Sequence, residues 1–190
     1  MESKGLIFRI DDVTGNTDKN ALKKMIKILK NNFVCKVWAC VTPFSQYAHE
    51  GSVYPNPPFK SMDRKNFYKV RHFLDTSRFN VGADEHVSHG LIHLDHSSLQ
   101  YDAQEMSIAT SCNILDSDIF VPPFNRWNAT TEAVCNHNNI QLVKSQEEGW
   151  RCLEFEDFDL SKSQRWYFHP WRFTPESFEK ALSLRKEWAA

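Results

Sequence analysis

Gly5-Leu6-Ile7-Phe8-Arg9-Ile10-Asp11-Asp12 is the stretch that decides the fold. Residues 5–10 read as a short buried strand. Two adjacent carboxylates follow, where the strand gives way to a loop. Side chains alternate across a strand, so neighbouring carboxylates point in different directions and can take different tasks.

Working outward, strand and helix signals alternate. Residues 18–31 carry Leu22, Met25, Ile26, Ile28 and Leu29 at helical spacing among lysines, with Thr17 or Asp18 as N-cap. Cys35 to Val41 is a second apolar strand. Residues 42–61 are rich in Pro, Ser and Gly and read as a long loop. Residues 63–76 return to helical spacing through Phe67, Val70 and Phe73. Further strands are expected at Phe79–Val81, Asp118–Val121, Ile140–Val143 and Trp166–Phe168. Helices are expected at 98–115 and Thr130–Asn138, and Thr174-Pro175-Glu176 opens the last helix. This alternation predicts an α/β architecture with a largely parallel sheet. A flattened or incomplete (β/α) barrel is preferred to an open doubly wound sheet. Both gather ligands at the C-terminal ends of strands.

Composition bounds the function. The chain of 190 residues is most simply one domain, 1–190, with an ordinary globular balance of 41% hydrophobic and 25% charged residues. A net charge of −1 steers it toward neither nucleic acid nor an anionic membrane. No apolar stretch approaches the roughly 20 residues of a membrane span. Met1-Glu2-Ser3-Lys4 runs straight into a strand and does not read as a signal peptide, so a cytoplasmic location is expected. The five cysteines are scattered without a C-x-x-C pair and read as buried thiols.

The histidines carry the chemistry. His86, His89, His93 and His96 fall close together, and His89 and His93 can share one ion from either a helix face or a loop. One carboxylate with two imidazoles leaves coordination positions open, the mark of a catalytic metal site. A second carboxylate and a third histidine, His169 in Phe168-His169-Pro170, would give a base and an acid. Asp95 reads as a partner of a ligand imidazole or as a turn residue, and His86 as peripheral. Asp63, Asp75, Asp116 and Asp118 read as caps, and Glu147-Glu148-Gly149-Trp150 as a solvated loop.

These motifs resemble the polysaccharide deacetylase family, carbohydrate esterase family four, from residue 5 to about residue 175. The resemblance implies a distorted or incomplete (β/α) barrel. It makes Asp11 the catalytic base, Asp12, His89 and His93 the metal ligands, and His169 the general acid. Pro123, Phe124, Asn125, Arg126 and Trp127 would line the substrate groove, with Trp171 and Arg172 beside the acid. The implied cofactor is one divalent metal ion, Zn2+ by preference, with Co2+, Ni2+, Mn2+ or Fe2+ able to use the same ligands. The implied reaction is removal of an N-acetyl, or an O-acetyl, group from a sugar or polysaccharide precursor. The oxyanion would rest on the metal and on a backbone N–H near Phe124.

The chain departs from that pattern. Val13-Thr14 follows the aspartates where glycine is common, Phe124 replaces the commoner tyrosine, and Val121 stands where an arginine usually orients the base. Arg126 or Arg172 is expected to supply that positive charge. Two other readings remain: a non-catalytic carbohydrate-binding protein on the same fold, and a non-haem iron oxygenase using His93, Asp95 and His169.

Overall fold

The structure, a computed structural model, describes residues 5–14, 17–43, 81–91 and 93–183. Among these residues seven parallel strands form a curled half-barrel: β1 (Leu6–Val13), β2 (Cys35–Val41), β3 (Glu85–Ser88), β4 (Ile119–Phe120), β5 (Gln141–Leu142), β6 (Arg151–Cys152) and β7 (Arg165–Phe168). Their order is β5-β4-β3-β2-β1-β7-β6. The helices are α1 (Lys19–Asn32), α2 (Tyr101–Leu115), α3 (Ala129–His137) and α4 (Pro175–Ser183).

Strand pleating divides the chemistry. Leu6, Phe8 and Ile10 of β1 point outward and pack with Leu22, Met25, Ile26 and Leu29 of α1 and Phe178 of α4. Those α1 residues follow the i, i+3, i+4, i+7 stripe of an amphipathic helix. Each fully buried aliphatic or aromatic side chain contributes about 1.5–3 kcal/mol. The other face of β1 looks into the curl, where Ile7 meets a cluster of Trp38, Cys40, Val87, Val121, Val143 and Trp150. Arg9 and Asp11 alternate with the outward residues and so share Ile7's face.

Asp18 caps α1, its carboxylate accepting from Asn20 N at 2.9 Å and Ala21 N at 3.1 Å. Asp18→Ala should lower stability by about 1 kcal/mol, read from the denaturation midpoint at constant m-value.

Several expectations shift. Residues 44–61 of the loop expected at 42–61, the segment 63–76 expected as a helix, with Asp63 and Asp75, and residues 79–80 lie outside the described residues. Val81 is buried but not in a strand, and the next strand is the polar Glu85–Ser88. Its inward Val87 is paired with outward-going polar neighbours, so no apolar run announces it. The two-residue β6 carries no periodic signal. Asp116 ends α2 in the left-handed region, as a C-cap (φ 51). Glu147 and Gly149 are exposed as a solvated loop requires, but Trp150 is buried and Glu148 pairs with Arg165 of β7. All five cysteines are free thiols.

Candidate metal centre

The site lies at the C-terminal end of the sheet, and the two aspartates enter it by breaking the pleat. Regular alternation would send Asp11 and Asp12 to opposite faces. The β1–β2 register runs to Ile10 and resumes at Val13 after a shift, and Asp12 adopts a left-handed backbone (φ 60). For a non-glycine residue that conformation stores about 1–3 kcal/mol of strain. The bulge turns both carboxylates into one pocket of ≈ 280 Å³.

His89 follows β3 directly, its N–H bonded to Val41 O at 3.0 Å. Gly90 next to it has φ 82, so residues 89–91 are loop and not helix. His89 Nδ1 lies 2.6 Å from the Val121 carbonyl. A carbonyl only accepts, so Nδ1 carries the proton and Nε2 offers a lone pair to the site. His89 Nε2 stands 3.2 Å and His93 Nε2 2.8 Å from Asp12 Oδ1. The His93 ring rests against Phe124, centroids 4.6 Å apart.

Asp12, His89 and His93 are the set of potential ligands that converges among the described residues, with ligand atoms within 4.8 Å of one another. Asp12 Oδ1 is buried, and the two imidazole nitrogens beside it stand close but out of hydrogen-bonding alignment. A buried acceptor left so is costly. A divalent cation would satisfy it, and one carboxylate oxygen with two imidazole nitrogens is a donor set that such an ion accepts. Burial alone would raise the Asp12 carboxyl, but the imidazoles of His89 and His93 outweigh it and hold the group far below the usual carboxylate range.

The positive partner of Asp11 is Arg9, correcting the expectation of Arg126 or Arg172. Arg9 Nε and Nη2 grip the two Asp11 oxygens at 2.7 and 2.8 Å, a bidentate pair. Nη1 donates to Ser145 Oγ at 2.7 Å and Nη2 also to Asn125 Oδ1 at 3.0 Å. The guanidinium is 0% exposed and lies between the rings of Trp150 and Tyr167, 4.8 and 4.6 Å from their centroids. Burial would raise the Asp11 carboxyl; Arg9, then His89 and His169, lower it instead. The thiol of Cys40, on β2, is pushed well above 9.0 by burial and by the Asp11 charge. Arg126 pairs with Asp95 at 3.1 Å, and Arg172 reaches Glu154 at 3.6 Å.

His169 follows β7 and faces Asp12, Nε2 to Oδ2 3.6 Å. Glu154, just past β6, receives both its Nδ1–H at 2.6 Å and its backbone N–H at 2.7 Å. The imidazole is thereby turned with Nε2 toward the pocket. Burial lowers the pKa of His169, but Glu154, Asp11 and Asp12 together raise it above 6.5.

Phe124 and Asn125 are consecutive left-handed residues (φ 59 and 53), which send the Phe124 ring to the pocket wall and the Asn125 side-chain amide oxygen down to Arg9. Asn125, Arg126, Trp171 and Arg172 also line the pocket, with Arg172 4.2 Å over the Trp171 ring. Pro123 is buried, and Trp127 lies under Lys144 Nζ at 4.4 Å; neither lines the pocket. Asp95 caps a short 3-10 turn through Ser97 N and does not join His93 and His169, so the iron triad is not assembled.

Sequence reading missed Arg9, Glu154, Ser145 and the 80%-exposed Phe155 on the rim. A signal for Arg9 existed: a charge inside an apolar strand, two residues before Asp11, must share its face. Nothing in the spacing connects Glu154 to His169, because their strands pair only in the fold.

No protein-family model matches the chain, and no curated protein is similar to it in sequence. Solved structures are similar in fold. A family 4 carbohydrate esterase pseudoenzyme from Bacillus anthracis matches with a TM-score of 0.57 at 10% identity, over 100% of this chain and 63% of that one. A mutant of that pseudoenzyme with restored enzymatic activity matches at 0.56 and 11%, over 98% of this chain and 64% of that one. A family 4 carbohydrate esterase from Streptomyces lividans, in complex with acetate, matches at 0.53 and 12%, over 94% and 86%. The chain thus spans less than two thirds of the Bacillus anthracis protein. With its seven parallel strands in a curled half-barrel, it has the fold of the family 4 carbohydrate esterases in a divergent form.

Proposed function

We propose that this protein is a metal-dependent deacetylase that removes an N-acetyl group, or an O-acetyl group, from a sugar or polysaccharide precursor. The carrying observation is the convergence of Asp12, His89 and His93 beside the Arg9–Asp11 pair. Asp12, His89 and His93 would hold the ion, with Zn2+ the preferred occupant. A bound divalent cation supplies a water of pKa roughly 7 and polarises the acyl oxygen.

The chain's own groups do the rest. Asp11, kept ionised by Arg9, takes the proton of the attacking water. His169 holds a proton on Nε2 and gives it to the departing nitrogen, a poor leaving group without it. Glu154 fixes the orientation of that imidazole and favours its protonated form. Phe124, Trp171 and Phe155 offer apolar faces at the rim for sugar rings.

The match to a pseudoenzyme favours a second reading, a carbohydrate-binding protein without turnover. The intact Arg9–Asp11 and Glu154–His169 pairs support the active one. The test is acetate release from a panel of N- and O-acetylated oligosaccharides by the Zn2+-loaded protein. Release by the wild type, and none by an Asp12→Ala variant depleted of metal, is the expected result. Sugar binding without acetate from any substrate would sink the hydrolase and leave the binding protein.

A further inference from the structure

The loop that carries the two ligand histidines is tied to α2 by a pair of directional hydrogen-bond relays. Leu91 N donates to Ser107 Oγ at 3.1 Å, and Ser107 Oγ lies 2.8 Å from His96 Nε2. His96 Nδ1 lies 2.9 Å from Leu94 O. A carbonyl only accepts, so Nδ1 bears the proton and Nε2 is the acceptor. The serine hydroxyl must then donate to Nε2, and its oxygen accepts from Leu91. The relay begins at one loop backbone group and ends at another, on either side of His93.

A second relay runs beside it. Gly90 N donates to Ser88 Oγ at 3.2 Å, Ser88 Oγ is bonded to Ser111 Oγ, and Ser111 Oγ donates to Ile108 O at 3.0 Å. Ser107 and Ser111 stand one helical turn apart, on one face of α2. Ser88, His96, Ser107 and Ser111 are all fully buried. Burying so many polar groups on a helix face that could have held aliphatic ones is unfavourable unless each is bonded. Here each is bonded, and two consecutive loop amides are what they bond.

We infer that Ser107 and His96 are positioning residues for the metal centre: their relay fixes the backbone of the loop so that His89 and His93 present Nε2 to one point. Neither side chain belongs to the converging ligand set. This inference rests on the metal-centre reading above. Outer partners that orient metal ligands typically change metal affinity by about 10–100-fold when removed.

The test compares Zn2+ affinity, by competition with a chromophoric chelator, in the wild type, Ser107→Ala and Ile108→Val, each shown folded by circular dichroism. Ile108→Val removes one buried methylene from the neighbouring position of α2 and touches no loop amide. Ser107→Ala is expected to weaken Zn2+ binding about 10–100-fold while Ile108→Val leaves it unchanged. Wild-type affinity in Ser107→Ala overturns the inference, as does an equal loss in Ile108→Val, which would mark a general loosening of the helix. Absence of Zn2+ binding by the wild type overturns the metal centre itself, and the relay's role with it.

Discussion

Arg9→Met should destabilise the protein by about 3–5 kcal/mol, the usual cost of leaving one member of a buried ion pair without the other. Asp11 would keep only its contacts with neutral groups and imidazoles in a site with almost no access to water. Asn125 and Ser145 would lose the donor that organises them. Urea denaturation measures the loss. The double variant Arg9→Met with Asp11→Asn provides the control: it removes the stranded charge, so it should be more stable than Arg9→Met alone. A double variant as unstable as the sum of its parts would show the two groups to be uncoupled. On the proposed mechanism Arg9→Met also raises the Asp11 pKa, so turnover at neutral pH falls together with stability.

On the proposed mechanism His169→Ala should reduce turnover by about 10²–10⁴-fold with Zn2+ content unchanged, since His169 is outside the proposed ligand set. Glu154→Gln makes the finer test. Against burial, which lowers the His169 pKa, Glu154 and then Asp11 and Asp12 raise it above 6.5. On the proposed mechanism the acid must be protonated to act, so activity should disappear as pH rises through that raised value. Taking away the Glu154 charge lowers the His169 pKa, and the alkaline limb of the kcat profile should move to lower pH. A limb that stays in place in Glu154→Gln would assign the proton to another group.

Much of this was readable from residue order alone, for physical reasons. The outward face of β1 and the stripe of α1 are ordinary amphipathic patterns, and they set strand against helix. Asp12, His89 and His93 could be grouped because their chemistry is distinctive, although the fold alone makes them neighbours. The bulge was not readable: Asp12 has no glycine-like sequence signal for its left-handed backbone, and strict alternation would have separated it from Asp11. Arg9 was overlooked because a cation within an apolar run is usually at an edge, whereas here two aromatic rings and a carboxylate enclose it. The polar face of α2, with Gln104, Ser107 and Ser111 all buried, weakens the helix's amphipathic pattern and conceals its purpose until the loop is seen against it.

Arg9 has a reach beyond the carboxylate it grips. β5 and β6 are the two margins of the sheet although they are successive strands, so residues 143–150 act as a strap thrown across the open side of the cylinder. Ser145 on that strap bonds the guanidinium, and Trp150 at its far end lies beneath it. A closed barrel is sewn shut by an amide ladder; this one is buttoned by side chains, Arg165 at the rim through Glu148 and Arg9 rising from an inner strand. The seam of the cylinder and the floor of its pocket therefore share the Arg9 fastening, and loosening either disturbs the other.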